Sequence, residues 1–170
     1  MRRIWWLAVA AGLVGCAGTE TAMPENLRFP AGESAVLRVA AAGAQVYECK
    51  ASAQDATKLD WMLVAPDAQL YATGGTVMGK HYGGPTWEAL DGSAVVGELR
   101  ARADAPDPDA IPWLLLRAKS TSGSGVLGRV SSIQRINTVG GKAPPGCSSA
   151  ELGHTLRVRY TAVYVFSEAR

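Results

Sequence analysis

The sequence predicts an all-β chain: an antiparallel β-sandwich or barrel-like domain, with little helix outside an N-terminal leader. Three observations carry this expectation. Apolar and polar residues alternate with period two over most of the chain, the signature of half-buried strands. The 19 glycines and 9 prolines cut that pattern into short runs separated by turn signals. No window of ordinary helix length holds a period near 3.6. At 170 residues, one hydrophobic core is expected rather than two.

In chain order, Ala35 to Ala42 is Ala-rich, and Val36, Leu37 and Val39 allow strand or helix equally. From Ala44 to Lys50, Tyr47 and Cys49 alternate with Glu48 and Lys50, which places Cys49 on an inner face. Leu59 to Val64 reads as a second strand, stopped by Pro66. Thr73-Gly74-Gly75 is a hairpin turn between Leu70-Tyr71-Ala72 and Val77 to Tyr82. Asp91-Gly92, the strongest turn signal, joins Thr86–Ala89 to Val95–Arg102, where Val95, Leu99 and Ala101 are expected on one face. Pro112 to Leu116 is too continuously apolar for a surface strand. Leu156 to Phe166 alternates cleanly, with even positions inward.

The N-terminus has a different logic. Met1-Arg2-Arg3 precedes an apolar run from Ile4 to Val14, the layout of a secretory signal and too short for the roughly 20 residues that span a bilayer. It ends in Leu13-Val14-Gly15-Cys16, which resembles the lipobox of bacterial lipoproteins. The resemblance implies cleavage before Cys16 and lipidation there, hence a membrane partner reached through acyl chains. Ala17 stands where Asp would resemble an inner-membrane retention signal, which favours the outer membrane, facing the periplasm. The expected organisation is a signal peptide over 1–15, a lipidated Cys16 and flexible tether over 16–25, and one β domain over 26–170. In such an exported chain, Cys49 and Cys147 are an even pair that favours a disulfide over two buried thiols or a metal pair.

From Cys16 onward the chain holds 15 basic and 15 acidic side chains. A neutral domain lacks the basic footprint of a nucleic-acid partner. Chemistry-bearing residues concentrate between His81 and Ser93. His81, Glu88 and Asp91 are weighed as metal ligands, but one histidine is a poor zinc set, and no metal or cofactor is expected. Ser93, His81 and Glu88 suggest the alternative of a small hydrolase or metal-dependent enzyme, although no G-x-S-x-G elbow exists. Two other readings remain. In one, His81, Tyr82 and Trp87 pack the sheet while Glu88 and Asp91 close the turn, with Trp87 in the core. In the other, Trp87, Tyr82 and Trp113 form an aromatic wall with His81 and Glu88 as polar handles, suited to a carbohydrate or small amphiphile. Arg135 is expected to hold a carboxylate or a carbonyl, and His154 to be exposed.

Several words resemble one family. His81-Tyr82-Gly83-Gly84-Pro85-Thr86-Trp87-Glu88 followed by Asp91-Gly92-Ser93, Gln45-Val46-Tyr47-Glu48-Cys49, Ile111-Pro112-Trp113-Leu114-Leu115-Leu116 and Ile133-Gln134-Arg135-Ile136-Asn137-Thr138-Val139-Gly140-Gly141 are similar to the domain of unknown function 3455 family. So are Trp61, Ala65-Pro66-Asp67-Ala68, Gly125-Val126-Leu127, Pro144, Cys147 and the closing Tyr160-Thr161-Ala162, Tyr164 and Phe166. The resemblance runs from about Leu27 to Phe166. It implies an exported single-domain protein of bacteria or fungi and brings no activity or functional residue with it. The function expected is therefore a non-catalytic binding or envelope-interaction module.

Overall fold

The computed structural model describes residues 22–53 and 55–170; the expected signal peptide over 1–15 and the expected lipidation site Cys16 lie outside them. Eight strands follow one another: β1 (Glu33–Ala51), β2 (Leu59–Tyr71), β3 (Val77–Tyr82), β4 (Thr86–Ala89), β5 (Ala94–Ala103), β6 (Trp113–Ser122), β7 (Ser132–Gly140) and β8 (Thr155–Ala169). Each pairs antiparallel with its chain neighbour, and β8 returns to β1, so the sheet closes into an up-and-down barrel. Of sandwich and barrel, the barrel is the outcome. Closure leaves no long open edge.

The first half of β1 answers the ambiguity at Ala35–Ala42, which is strand. Bulges between Ala35 and Leu37 and between Val46 and Tyr47 let this 19-residue strand bend around the wall. The expected stop at Pro66 does not occur, and β2 runs on to Tyr71. Pro66 is tolerated because it lies beside the β1 bulge and short of the β3 ladder, which begins at Ala68↔His81. Ala101 corrects the face assigned to β5. Arg100 is an extra residue between the pairs Leu99↔Leu116 and Ala101↔Leu115, so Ala101 turns outward to pack beside Leu115, while Leu99 keeps the face of Val95 although it is 55% exposed.

The barrel interior is filled by inward side chains such as Val39, Leu70, Trp87, Leu116, Tyr164 and Phe166. A second apolar layer lies outside the wall, where Leu27, Met23 and Phe29 cover Trp113, Leu115 and Val165. This explains the unbroken run in β6: Leu114 and Leu116 face the interior cluster, while Trp113 and Leu115 are covered by the N-terminal strap. The strap is tied by Gln134, whose Nε2 donates to the Leu27 carbonyl at 2.7 Å. Met23, read from sequence as tether, thus packs on the barrel.

Two features shape one end. Cys49 and Cys147 form a disulfide with a Cα–Cα distance of 6.0 Å, fastening the end of β1 to the segment between β7 and β8. The β3–β4 hairpin is shorter than its neighbours: β2 has no β3 partner before Ala68, and the β4–β5 ladder ends at Thr86↔Val96. Past the Gly83–Pro85 turn the wall is therefore notched between β2 and β5. The Gly97 N–H, donating to the Pro85 carbonyl at 2.9 Å, stitches the turn to the far side.

Candidate functional site

A cavity of about 490 Å³ lies behind that notch. Its mouth is bordered by Leu63, Val64 and Pro66 on one side and Gly97 and Leu99 on the other. Leu63, Val64 and Leu99 are each more than half exposed. Deeper in, Gln45, His81, Trp87, Leu116, Arg135 and Tyr164 line it. Eight-stranded barrels are just wide enough to be filled by side chains or to hold one small ligand, and this volume lies in the ligand-holding range. A larger hollow of about 630 Å³ on the outer wall, along Ala42–Ala44, Val139 and Arg159, is an open surface groove.

Strand alternation puts His81 and Trp87 on the inner face, since they are register partners across the β3–β4 hairpin. Their rings stack at 4.3 Å and 11°, and Tyr164 meets both edge-on at 5.0 and 5.2 Å. Glycine at 97 makes room for this: a Cβ there would lie 2.9 Å from the Trp87 ring and 3.1 Å from Leu116. His81 Nδ1 donates to the Thr86 carbonyl at 2.8 Å, leaving Nε2 as the lone-pair nitrogen. Burial pushes the imidazole pKa down to about 3, so the ring is neutral. Burial likewise raises the Tyr164 hydroxyl.

Arg135 enters from β7 beside Tyr164 and Leu114, its register partners. Its Nε and Nη2 donate to the Pro112 carbonyl at 3.1 and 2.9 Å, one of the two roles expected for it. Two fully enclosed donors of the cavity lining, Gln45 Nε2 and Trp87 Nε1, have no partner among the described residues. Both residues are at most 2% exposed. Trp113 Nε1 is a third such atom, but it lies under the strap and not in this lining.

The structure divides the residues singled out by sequence. His81 and Trp87 meet at the cavity. Tyr82 and Glu88 sit on the opposite face of the same hairpin, where the Tyr82 hydroxyl donates to Glu88 Oε2 at 2.7 Å and Lys80 pairs with Oε1 at 3.3 Å. Trp113 is under the strap, so the proposed wall of Trp87, Tyr82 and Trp113 does not assemble. Asp91 closes its turn by accepting from Ser93 N, Ser93 Oγ and Val126 N, bonds that hold its carboxyl below the usual range. Ser93 is 1% exposed and its hydroxyl also accepts from Leu127 N at 3.0 Å, so it is committed to the turn at the far end of the hairpin from His81. The triad geometry is absent. His81, Glu88 and Asp91 do not converge, and no group of three or more metal-ligating side chains occurs among the described residues. His154 is exposed. Sequence reading passed over Gln45 and Tyr164 as site residues; inward parity on β1 and β8 was the available signal.

A neutral buried histidine has a measurable consequence. Between about pH 6.5 and 3 the unfolded chain binds a proton at His81 that the folded chain refuses, so stability falls as pH drops through that window and is unaffected above it. The slope approaches about 1.4 kcal/mol per pH unit. Urea unfolding at pH 7 and pH 5, before most carboxylates titrate, should show this loss in the wild type and a much smaller one in His81→Phe. Equal losses in both would contradict it.

The class defined by this geometry is an eight-stranded antiparallel barrel with an internal, side-opening pocket. Over residues 30–168 the chain matches the family described as "Protein of unknown function (DUF3455)", and it belongs to that family. No curated protein and no solved structure matches it.

Proposed function

We propose that this barrel is a non-catalytic binding module that takes a small amphiphilic molecule through the notch into its interior. The observation that carries the reading is the pair of buried, unpartnered donors, Gln45 Nε2 and Trp87 Nε1, in the lining of one 490 Å³ cavity. A buried donor without a partner costs about 1–3 kcal/mol, which a ligand acceptor would recover on binding. The apolar rim of Leu63, Val64 and Leu99 supplies surface for an apolar body. The test is calorimetric titration with 1-decanol, a neutral amphiphile, against the wild type and Ala65→Trp, which sets an indole in the mouth. Saturable binding lost in a folded Ala65→Trp supports the reading; no binding, or binding indifferent to the plug, defeats it.

The module is placed, in this reading, on the cell envelope, held by lipid at Cys16 on the outer membrane and facing the periplasm. The leader, the Leu13-Val14-Gly15-Cys16 word and an intact disulfide support that location. Cys16→Ser should abolish acylation and leave the leader uncleaved; normal processing and membrane retention of that variant would overturn it.

A further inference from the structure

We propose that the ligand of this pocket carries a carboxylate on an apolar body, and that Arg135 receives it. The inference rests on the binding function proposed above and names the chemistry of its head group.

The polar groups turned to the cavity are mostly donors. Arg135 Nε and Nη2 are occupied by one carbonyl, that of Pro112, which fixes the guanidinium plane and leaves Nη1 outside that pair. Trp87 Nε1 and Gln45 Nε2 add two unpartnered donors. Arg135 is partly buried, and a cation withdrawn from water favours an anionic partner, yet no described carboxylate lies within ion-pair distance of it. The one acidic residue in the lining, Glu98 at the rim, is taken by Arg117 through Nε and Nη2, both at 2.6 Å. His81 is neutral and contributes no counter-charge. Inside the rim, the site therefore has one positive group, Arg135, with donors around it and no anion.

A carboxylate fits this set better than a phosphate. One guanidinium offers planar, directed donors suited to a single negative charge. The other cation of the lining, Lys119, is exposed. The path from Arg135 to the mouth runs past Leu114, Leu116 and Pro85 to Leu63 and Leu99, so the rest of the molecule is apolar. The expected class is a straight-chain or similarly slender apolar carboxylic acid.

The experiment compares decanoate, methyl decanoate and 1-decanol on the intact protein by calorimetry at neutral pH. A charge-assisted hydrogen bond is worth enough that decanoate should bind at least about tenfold more tightly than either neutral analogue. Arg135→Gln should erase that preference, bringing the decanoate affinity to that of methyl decanoate. Should Arg135→Gln fold poorly through loss of the Pro112 tether, the wild-type comparison decides alone, because methyl decanoate removes the charge from the ligand instead. Decanol binding with no preference for decanoate overturns the head-group assignment and leaves the pocket standing. No binding of any of the three overturns both.

Discussion

Trp87→Ala should destabilise the fold by about 3–5 kcal/mol in urea unfolding, the range for truncating a buried large aromatic. The indole is 1% exposed and stacked on His81, with Tyr164 and Phe166 edge-on at 5.2 and 6.2 Å. Its neighbours come from β3, β8 and, across Gly97, β5, so no single side-chain shift can fill the space left behind. Such a loss is a large part of the 5–15 kcal/mol that usually holds a domain folded. Trp87→Phe, which keeps a stacked ring and removes the unpartnered indole N–H, should lose far less. A Trp87→Ala protein within about 1 kcal/mol of wild type would refute this role in packing. Core and site are not alternatives here, because the same side chain that fills the wall also lines the cavity.

The disulfide carries the other large effect. Cys49 and Cys147 are 98 residues apart, and closing a loop near that length removes up to about 4.7 kcal/mol of chain entropy from the unfolded state in the simplest account. The double variant Cys49→Ala/Cys147→Ala should lose about 2–5 kcal/mol. Backbone bonds soften the local loss: Cys49 N donates to the His154 carbonyl, Gly153 N to the Cys49 carbonyl and Cys147 N to the Leu59 carbonyl. These should keep the barrel's closed topology while the end loosens. Reduction that leaves the unfolding midpoint unchanged would contradict the assignment.

Strand identity was readable wherever one face is dry and the other wet. The alternation in β8 placed Tyr160, Ala162, Tyr164 and Phe166 inward, as they are, and Asp91-Gly92 marked its turn, with Gly92 at φ +82°. Parity failed where a strand gains an extra residue, since that moves its later side chains to the other face, as at Ala101 beyond Arg100. Closure was not readable, because β1–β8 pairing depends on partners at opposite ends of the chain. The β6 run was legible as buried, yet nothing local says that its second face is covered by a strap 86 residues earlier than Trp113, where Leu27 sits. The same holds for the site. His81 and Trp87 stood out as neighbours in sequence, but Gln45, Arg135 and Tyr164 come to them only through the barrel. Tyr82 and Glu88 looked like companions because they are adjacent in sequence, and adjacency in a strand means opposite faces.

Whether the barrel interior receives the ligand is read from the indole N–H resonances of the protein during a decanol titration. Trp87 Nε1 belongs to the cavity lining, whereas Trp113 Nε1, also buried and unpartnered, lies outside the wall under the strap. The Trp87 indole resonance should move saturably, in step with the calorimetric isotherm, while that of Trp113 stays in place. A stationary Trp87 resonance at saturation, or Trp87 and Trp113 moving together, would contradict binding in the interior.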